Sequence, residues 1–327
     1  MRNPAALGAE PGRGNRRNPG RTIRNRLLAD AASVALLALS LCPGLAGQEA
    51  RGESPGSAII LRVGYPVSAF SPGFVQDVRS LLEVWGTRLA KKYRPTGEVS
   101  IEMFEDLPSI IAALESHSLD LLVISSLDYI DLEAGHLLEP VTTEADIDLQ
   151  FILVVRRDRN IREVRELAGG RCLIDGGAVG RLPQIWLDVA LHRAGLPPYM
   201  AFFKDVKIRD KASQAVLPVF FGQSDAGVTT RKAFATLCEL NPQLDRELTI
   251  VMSSPGMIRG LNCIRTDLEP DLKSITIKAL NEMDQEPEGQ QILVLLGVDK
   301  IRPFKLEYLD KVRSLYNEYK TLRVQPN

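Results

Sequence analysis

Residues 58–63 (AIILRV) form a short apolar, β-branched run closed by Gly64, and from residue 74 to 93 apolar side chains recur at 74, 75, 78, 81, 82, 85 and 89. The first pattern predicts a strand and the second an amphipathic helix. Pro95-Thr96-Gly97 interrupts that helix, residues 99–104 (VSIEMF) alternate as a strand does, 107–114 read as a helix, and 119–124 (LDLLVI) as a buried strand. Strand alternating with helix is the rhythm of a parallel sheet covered by helices.

The alternation then restarts. Residues 151–155 (FILVV) predict a fully buried strand, 161–167 a short helix, 171–174 (RCLI) a strand and 182–193 a helix ended by Gly195. A strand within 200–208, a helix over 213–221 bent or begun at Pro218, a strand at 225–228 (DAGV) and a helix over 231–238 follow. Fresh strands favour a second α/β domain over one larger sheet. Residues 248–251 (LTIV) and 260–264 (GLNCI) are strands around the turn Ser253-Ser254-Pro255-Gly256, after which 270–283, 288–296 and 307–321 predict helices. Three terminal helices without a full new sheet must pack on something already built, so the chain is expected to return to the first domain. The expected architecture is α/β and two-lobed, with residues 58–150 and 252–327 as lobe I, 151–251 as lobe II and crossing strands between them.

Charge separates the N-terminus from the rest. Of 40 Lys+Arg and 41 Asp+Glu, residues 1–46 hold seven Arg and only two acids, Glu10 and Asp30. Residues 47–327 are left with 33 bases and 39 acids, the wrong balance for displacing counterions from nucleic-acid phosphates. The Arg-rich start runs into the apolar stretch 31–41 (AASVALLALSL), the layout of a signal peptide. That stretch is shorter than the about 20 helical residues a hydrocarbon core requires. Small residues at Gly44-Leu45-Ala46 and Leu45-Ala46-Gly47 place cleavage near 47, with 48–57 (QEARGESPGS) as a polar linker. Export to the periplasm is expected. Leu41 occupies the position where a lipoprotein box wants a small residue before Cys42, and Asn-Pro-Gly follows Arg16-Arg17 where a twin-arginine signal wants hydrophobic residues. The remaining Cys172, Cys238 and Cys263 form no CxxC pair, so buried, unpaired thiols are expected rather than zinc ligands or a needed staple.

Enzymatic chemistry is poorly supplied. His117, His136 and His192 have no metal-binding spacing, and no GxSxG elbow, P-loop or GxGxxG fingerprint occurs. Acid pairs such as Glu105-Asp106 and Glu286/Glu288 lie at turns or helix starts, where capping accounts for them. No cofactor or metal is expected. What remains is four strand-to-helix junctions: Gly64-Tyr65, Ser125-Ser126 with Tyr129, Gly176 to Arg181, and Thr229-Thr230-Arg231. In open α/β sheets ligands collect beyond the carboxyl ends of strands, where helix N-termini offer free amides.

The segments Leu61-Arg62-Val63-Gly64-Tyr65, residues 120–129 (DLLVISSLDY), 152–158 (ILVVRRD), Leu167-Ala168-Gly169-Gly170-Arg171 with 191–197 (LHRAGLP), Ser224-Asp225-Ala226-Gly227-Val228, and Pro287-Glu288-Gly289 leading to Leu296-Gly297-Val298 together resemble the phosphonate-binding branch of periplasmic substrate-binding proteins. The resemblance spans roughly residues 58–304. It implies a type II periplasmic-binding-protein fold, a monomer closing over a small anion, and an ABC permease as partner; a membrane sensor is the alternative partner. By the same resemblance Tyr65, Ser125, Ser126 and Tyr129 would line one side of the cleft, and Gly177, Ala178, Val179, Gly180, Thr229 and Thr230 the other. Where relatives place a Ser-Thr-Ser run before Gly, this chain has Gly177-Ala178-Val179-Gly180, so Arg181 or Arg231 is expected to add charge-assisted bonds to the ligand. Closure is expected about crossings near 149–155 and 248–254.

Overall fold

The computed structural model describes residues 59–70, 75–132, 136–177 and 179–324. The expected signal peptide and linker, Cys42 and Ala178 lie outside the described residues. The first unit runs β1 (Ile59–Pro66), α1 (Val75–Tyr93), β2 (Gly97–Phe104), α2 (Leu107–Glu115), β3 (Leu121–Ser125), α3 (Ser126–Leu132) and β4 (Leu138–Glu144). The second runs β5 (Phe151–Arg156), β6 (Arg171–Asp175), α4 (Leu182–Arg193), α5 (Tyr199–Phe202), β7 (Asp205–Arg209), α6 (Ala212–Phe220), β8 (Ala226–Thr230), α7 (Arg231–Leu240), α8 (Gln243–Glu247) and β9 (Leu248–Ser253). The chain closes with β10 (Gly260–Arg265), α9 (Pro270–Asn281), α10 (Pro287–Leu295), β11 (Ile301–Pro303) and α11 (Asp310–Val324).

Two sheets result, ordered β11-β4-β10-β3-β1-β2 and β7-β6-β8-β5-β9. Each has a parallel trio, β2-β1-β3 or β7-β6-β8, next to an antiparallel strand that arrives from the other half: β10 beside β3, and β5 beside β8. The sheets are therefore mixed rather than parallel throughout, because the strand arriving from the other sheet starts at the end where the parallel strands finish, Gly260 opposite Ser125 and Phe151 opposite Thr230.

Burial explains the unbroken apolar run of β5. Phe151, Leu153 and Val155 belong to one core cluster, Ile152 and Val154 to another on the far face, and all five are fully buried. A strand covered on both faces has no polar side to alternate with. On the first sheet, α1, α9 and α10 cover one face with Val78, Leu82, Leu280 and Ile292. An apolar cavity of about 110 Å³ remains under α1, beside Gly86 and Val99. Gly64 does not end β1 but lies inside it, since a Cβ there would stand 2.7 Å from the Phe104 ring and 2.8 Å from Leu119.

Two crossings join the sheets, between β4 and β5 and between β9 and β10. They are tied to each other: Leu149 and Met257 exchange backbone hydrogen bonds at 2.9 and 3.1 Å, the Ser254 amide donates to the Phe151 carbonyl at 2.8 Å, and the Phe151 amide donates to Ser254 Oγ at 2.8 Å. Contact is closest at Gly256, where a Cβ would lie 1.6 Å from Asp148 Oδ1 and 3.0 Å from its Cα. Gly256→Ala is therefore expected to force the crossings apart and cost about 1–3 kcal/mol, seen as an earlier thermal midpoint; coincident melts would refute the close approach. A third link is α11, which packs on α3 of the first half and α4 of the second. Glu318 on α11 accepts two bonds from Arg193 on α4, at 2.9 and 2.6 Å.

Candidate ligand-binding site

The carboxyl ends of β1 and β3 and the start of β10 share one edge of the first sheet, facing the loop after β6. Between them lies a cavity of about 780 Å³, within the range of small-molecule sites. Tyr65, Ser125, Val179, Gly180 and Arg181 all line it, bringing together residues from both halves. Tyr65 is mostly packed, 5% exposed and against Phe70, and burial pushes its phenol well above the ordinary range. Ser125 closes a local loop: its hydroxyl donates to Asp128 at 2.7 Å and accepts from the Asp128 amide at 3.0 Å.

Of the other expected site residues, Ser126, Tyr129, Gly177, Thr229, Thr230 and Arg231 do not line this cavity. Ser126 is fully buried and its hydroxyl donates to the Ile258 carbonyl at 2.9 Å, fastening α3 to the return crossing. Tyr129 is half-buried against the core, which raises its phenol. Gly177 is where a Cβ would meet the Asp210 carbonyl at 2.4 Å. Thr229 is fully buried and donates to Asp175 at 2.9 Å, while Thr230 caps α7 by accepting from the Ala233 amide at 3.1 Å. Arg231 grips the crossings, donating to Gln150 Oε1 at 2.6 Å and Ser253 Oγ at 2.9 Å.

Charge in the cavity is already paired. Arg181 donates to Asp131 at 2.9 Å and stands 3.8 Å from Asp128, and the Tyr316 hydroxyl of α11 also bonds Asp131. This places an ion pair across the cleft, from the start of α4 to α3. α4 has no side-chain cap, and Pro183 in its first turn carries no amide hydrogen. Below the glycine loop, burial pushes the Asp175 carboxyl up despite the bond from Thr229. Three lining residues carry no motif: Glu144 at the end of β4, Arg259 before β10, and Asn262, whose amide donates to Thr142 at 2.9 Å. The only signal of Glu144 and Arg259 is position at a strand end, and Asn262 lies inside β10.

Outside the cavity, Asp106 caps α2 through the Ser109 amide at 2.8 Å, but Glu286 and Glu288 both bind Lys92 rather than capping α10. Cys172 and Cys263 are buried and Cys238 only half-buried, all three as free thiols. Among the described residues no cluster of His, Cys, Asp and Glu could hold a metal ion, and no helix is long and apolar enough to cross a membrane.

Curated protein sequences offer no match to the chain. Solved structures share its fold at low identity. A Xanthomonas citri protein bound to ATP is 16% identical with a TM-score of 0.59, covering 81% of this chain and 99% of that one. PhnD1 from Prochlorococcus marinus in complex with methylphosphonate is 14% identical with a TM-score of 0.58, covering 80% and 98%. A binding protein component of an ABC phosphonate transporter from Pseudomonas aeruginosa is 16% identical with a TM-score of 0.56, covering 81% and 88%. The family model for the periplasmic substrate-binding protein of phosphonate ABC transporters matches residues 74–309. With two mixed sheets joined by paired crossings, and a cavity walled from both sides, the chain belongs to that family of periplasmic substrate-binding proteins.

Proposed function

We propose that this protein binds a small anionic, phosphonate-like solute for an ABC importer, clamping it between lobe I (58–150 and 252–327) and lobe II (151–251) without turning it over. The cavity walled by Tyr65 and Ser125 on one side and by Val179, Gly180 and Arg181 on the other carries this reading. Contacts drawn from both halves are complete only when the halves are together, so a ligand that makes them shifts the population toward the closed form. The methylphosphonate and ATP held by the two relatives are both phosphorus oxyanions, which supports the ligand class. The mature chain is proposed to start near residue 47, free of lipid, and to present its closed outline to the permease as a monomer.

Calorimetry and small-angle scattering on the mature protein test this together. Methylphosphonate is expected to give saturable one-to-one heat and a smaller radius of gyration. Absence of both responses with methylphosphonate, inorganic phosphate and ATP would overturn the proposal.

A further inference from the structure

The cavity contains a second guanidinium, far better sheltered than Arg181. The Arg181 side chain is 58% exposed, whereas those of Arg259 and Glu144 are each 20% exposed. Arg259 Nε donates to Glu144 Oε1 at 2.5 Å and Nη2 to the Leu296 carbonyl at 3.3 Å. Among the described residues Nη1 has no hydrogen-bond acceptor, and Arg259 is part of the cavity wall.

The backbone that carries Arg259 is held on three successive carbonyls. Ser126 Oγ donates to Ile258, the Ser126 amide to Arg259 at 2.9 Å, and Thr143 Oγ1 to Gly260 at 2.6 Å. The Arg259 backbone is thus fixed at the carboxyl end of β3, and its guanidinium reaches across to the carboxyl end of β4 and the Leu296 carbonyl. A sheltered ion pair is a weak device for stability, because apolar groups of the same volume do as well or better once desolvation is counted. What the pair adds is an oriented donor fork in a region where charge is poorly screened. Burial pushes the Glu144 carboxyl up in spite of Arg259, in keeping with a carboxylate placed there at a cost.

Building on the clamp reading, we propose that Arg259 is the anion contact of lobe I, and that Glu144 is a positioning residue that aims the guanidinium and weakens its field. The two members of the pair then act on ligand affinity in opposite directions. A purely structural pair has no such asymmetry.

Calorimetry with methylphosphonate and inorganic phosphate on the mature chain, with urea midpoints recorded for each variant, provides the test. Arg259→Gln is expected to weaken both anions about tenfold or more, the scale of one lost charge-assisted bond. Glu144→Gln, which keeps an acceptor for Nε but removes the charge, is expected to tighten them about threefold. Arg259→Lys, which keeps charge without the fork, should fall between parent and Arg259→Gln, and serves if Arg259→Gln fails to fold. Affinities shifted the same way by Arg259→Gln and Glu144→Gln, or a lysine variant equal to the parent, would overturn the assignment. Scattering separates it from the clamp: closure with unaltered affinity in Arg259→Gln sinks the contact alone, and affinity lost in Arg259→Gln without closure in the parent sinks the clamp alone. No saturable heat in the parent overturns both.

Discussion

Replacing Asp120 with Ala is expected to remove about 3–5 kcal/mol of stability, read as an earlier urea midpoint at unchanged slope. Asp120 is 1% exposed and accepts from the Arg62 amide at 3.0 Å, from Arg62 Nε at 2.8 Å and from Arg62 Nη2 at 2.7 Å, with Arg265 Nη2 at 3.6 Å. Arg265 is itself buried, and its Nη1 has no hydrogen-bond partner; its Nε lies 2.7 Å from Asp267 Oδ1 without forming an aligned bond. Truncation therefore leaves a buried guanidinium with one partly exposed carboxylate, and strands the Arg62 amide. Asp120→Asn preserves volume and some acceptor capacity and should cost less. The cluster sits where β3 begins, at the opposite end of that strand from the cavity, so anion affinity at moderate temperature should persist. A loss below about 1 kcal/mol for the alanine variant would show that the charges relax into solvent.

Phe151→Ala is expected to cost a similar about 3–5 kcal/mol, from lost transfer energy plus the cavity it leaves. Phe151 is fully buried at the point where the outgoing crossing enters the second sheet, its ring 6.1 Å from that of Trp186, itself 3% exposed. Both backbone groups are bonded to Ser254, so the backbone cannot readily collapse into the space. Trp186 emission should shift to the red as water reaches it. An unchanged melting point together with unchanged emission would show that neighbouring leucines refill the site.

Most elements are legible in the sequence, because periods of 3.6 and 2 report directly on which face is covered. The run 151–155 and the helix 182–193 are clear cases, and α4 begins and ends at the expected residues. β4 escapes detection. Pro140 and the polar Glu139, Thr142, Thr143 and Glu144 erase its alternation, and its buried threonines are satisfied by Asn262 and by the Gly260 carbonyl, more than a hundred residues away. The strand expected within 200–208 is β7, and what the pattern does not show is the short helix α5 before it, whose Tyr199 amide donates to Asp188 on α4 at 2.8 Å. The site is less legible than the fold. Hydroxyls such as Ser126 and Thr229 look equally suited to a ligand or to a backbone carbonyl, and only burial distinguishes the two. Arg259 and Glu144 are unmarked because their pairing spans 115 positions and neither belongs to a local pattern.

The seat of α11 on both α3 and α4 limits how the molecule can move. Two adjacent strands alone would permit twisting as well as bending, whereas an attachment lying off their axis removes the twist. Any swing must then slide α11 along one of its two partners, and packed helices tolerate only small sliding steps before their side chains interlock again. Such a molecule behaves like a book with a strap across its covers: the angle through which it opens is set by the strap's slack, whatever lies between the pages.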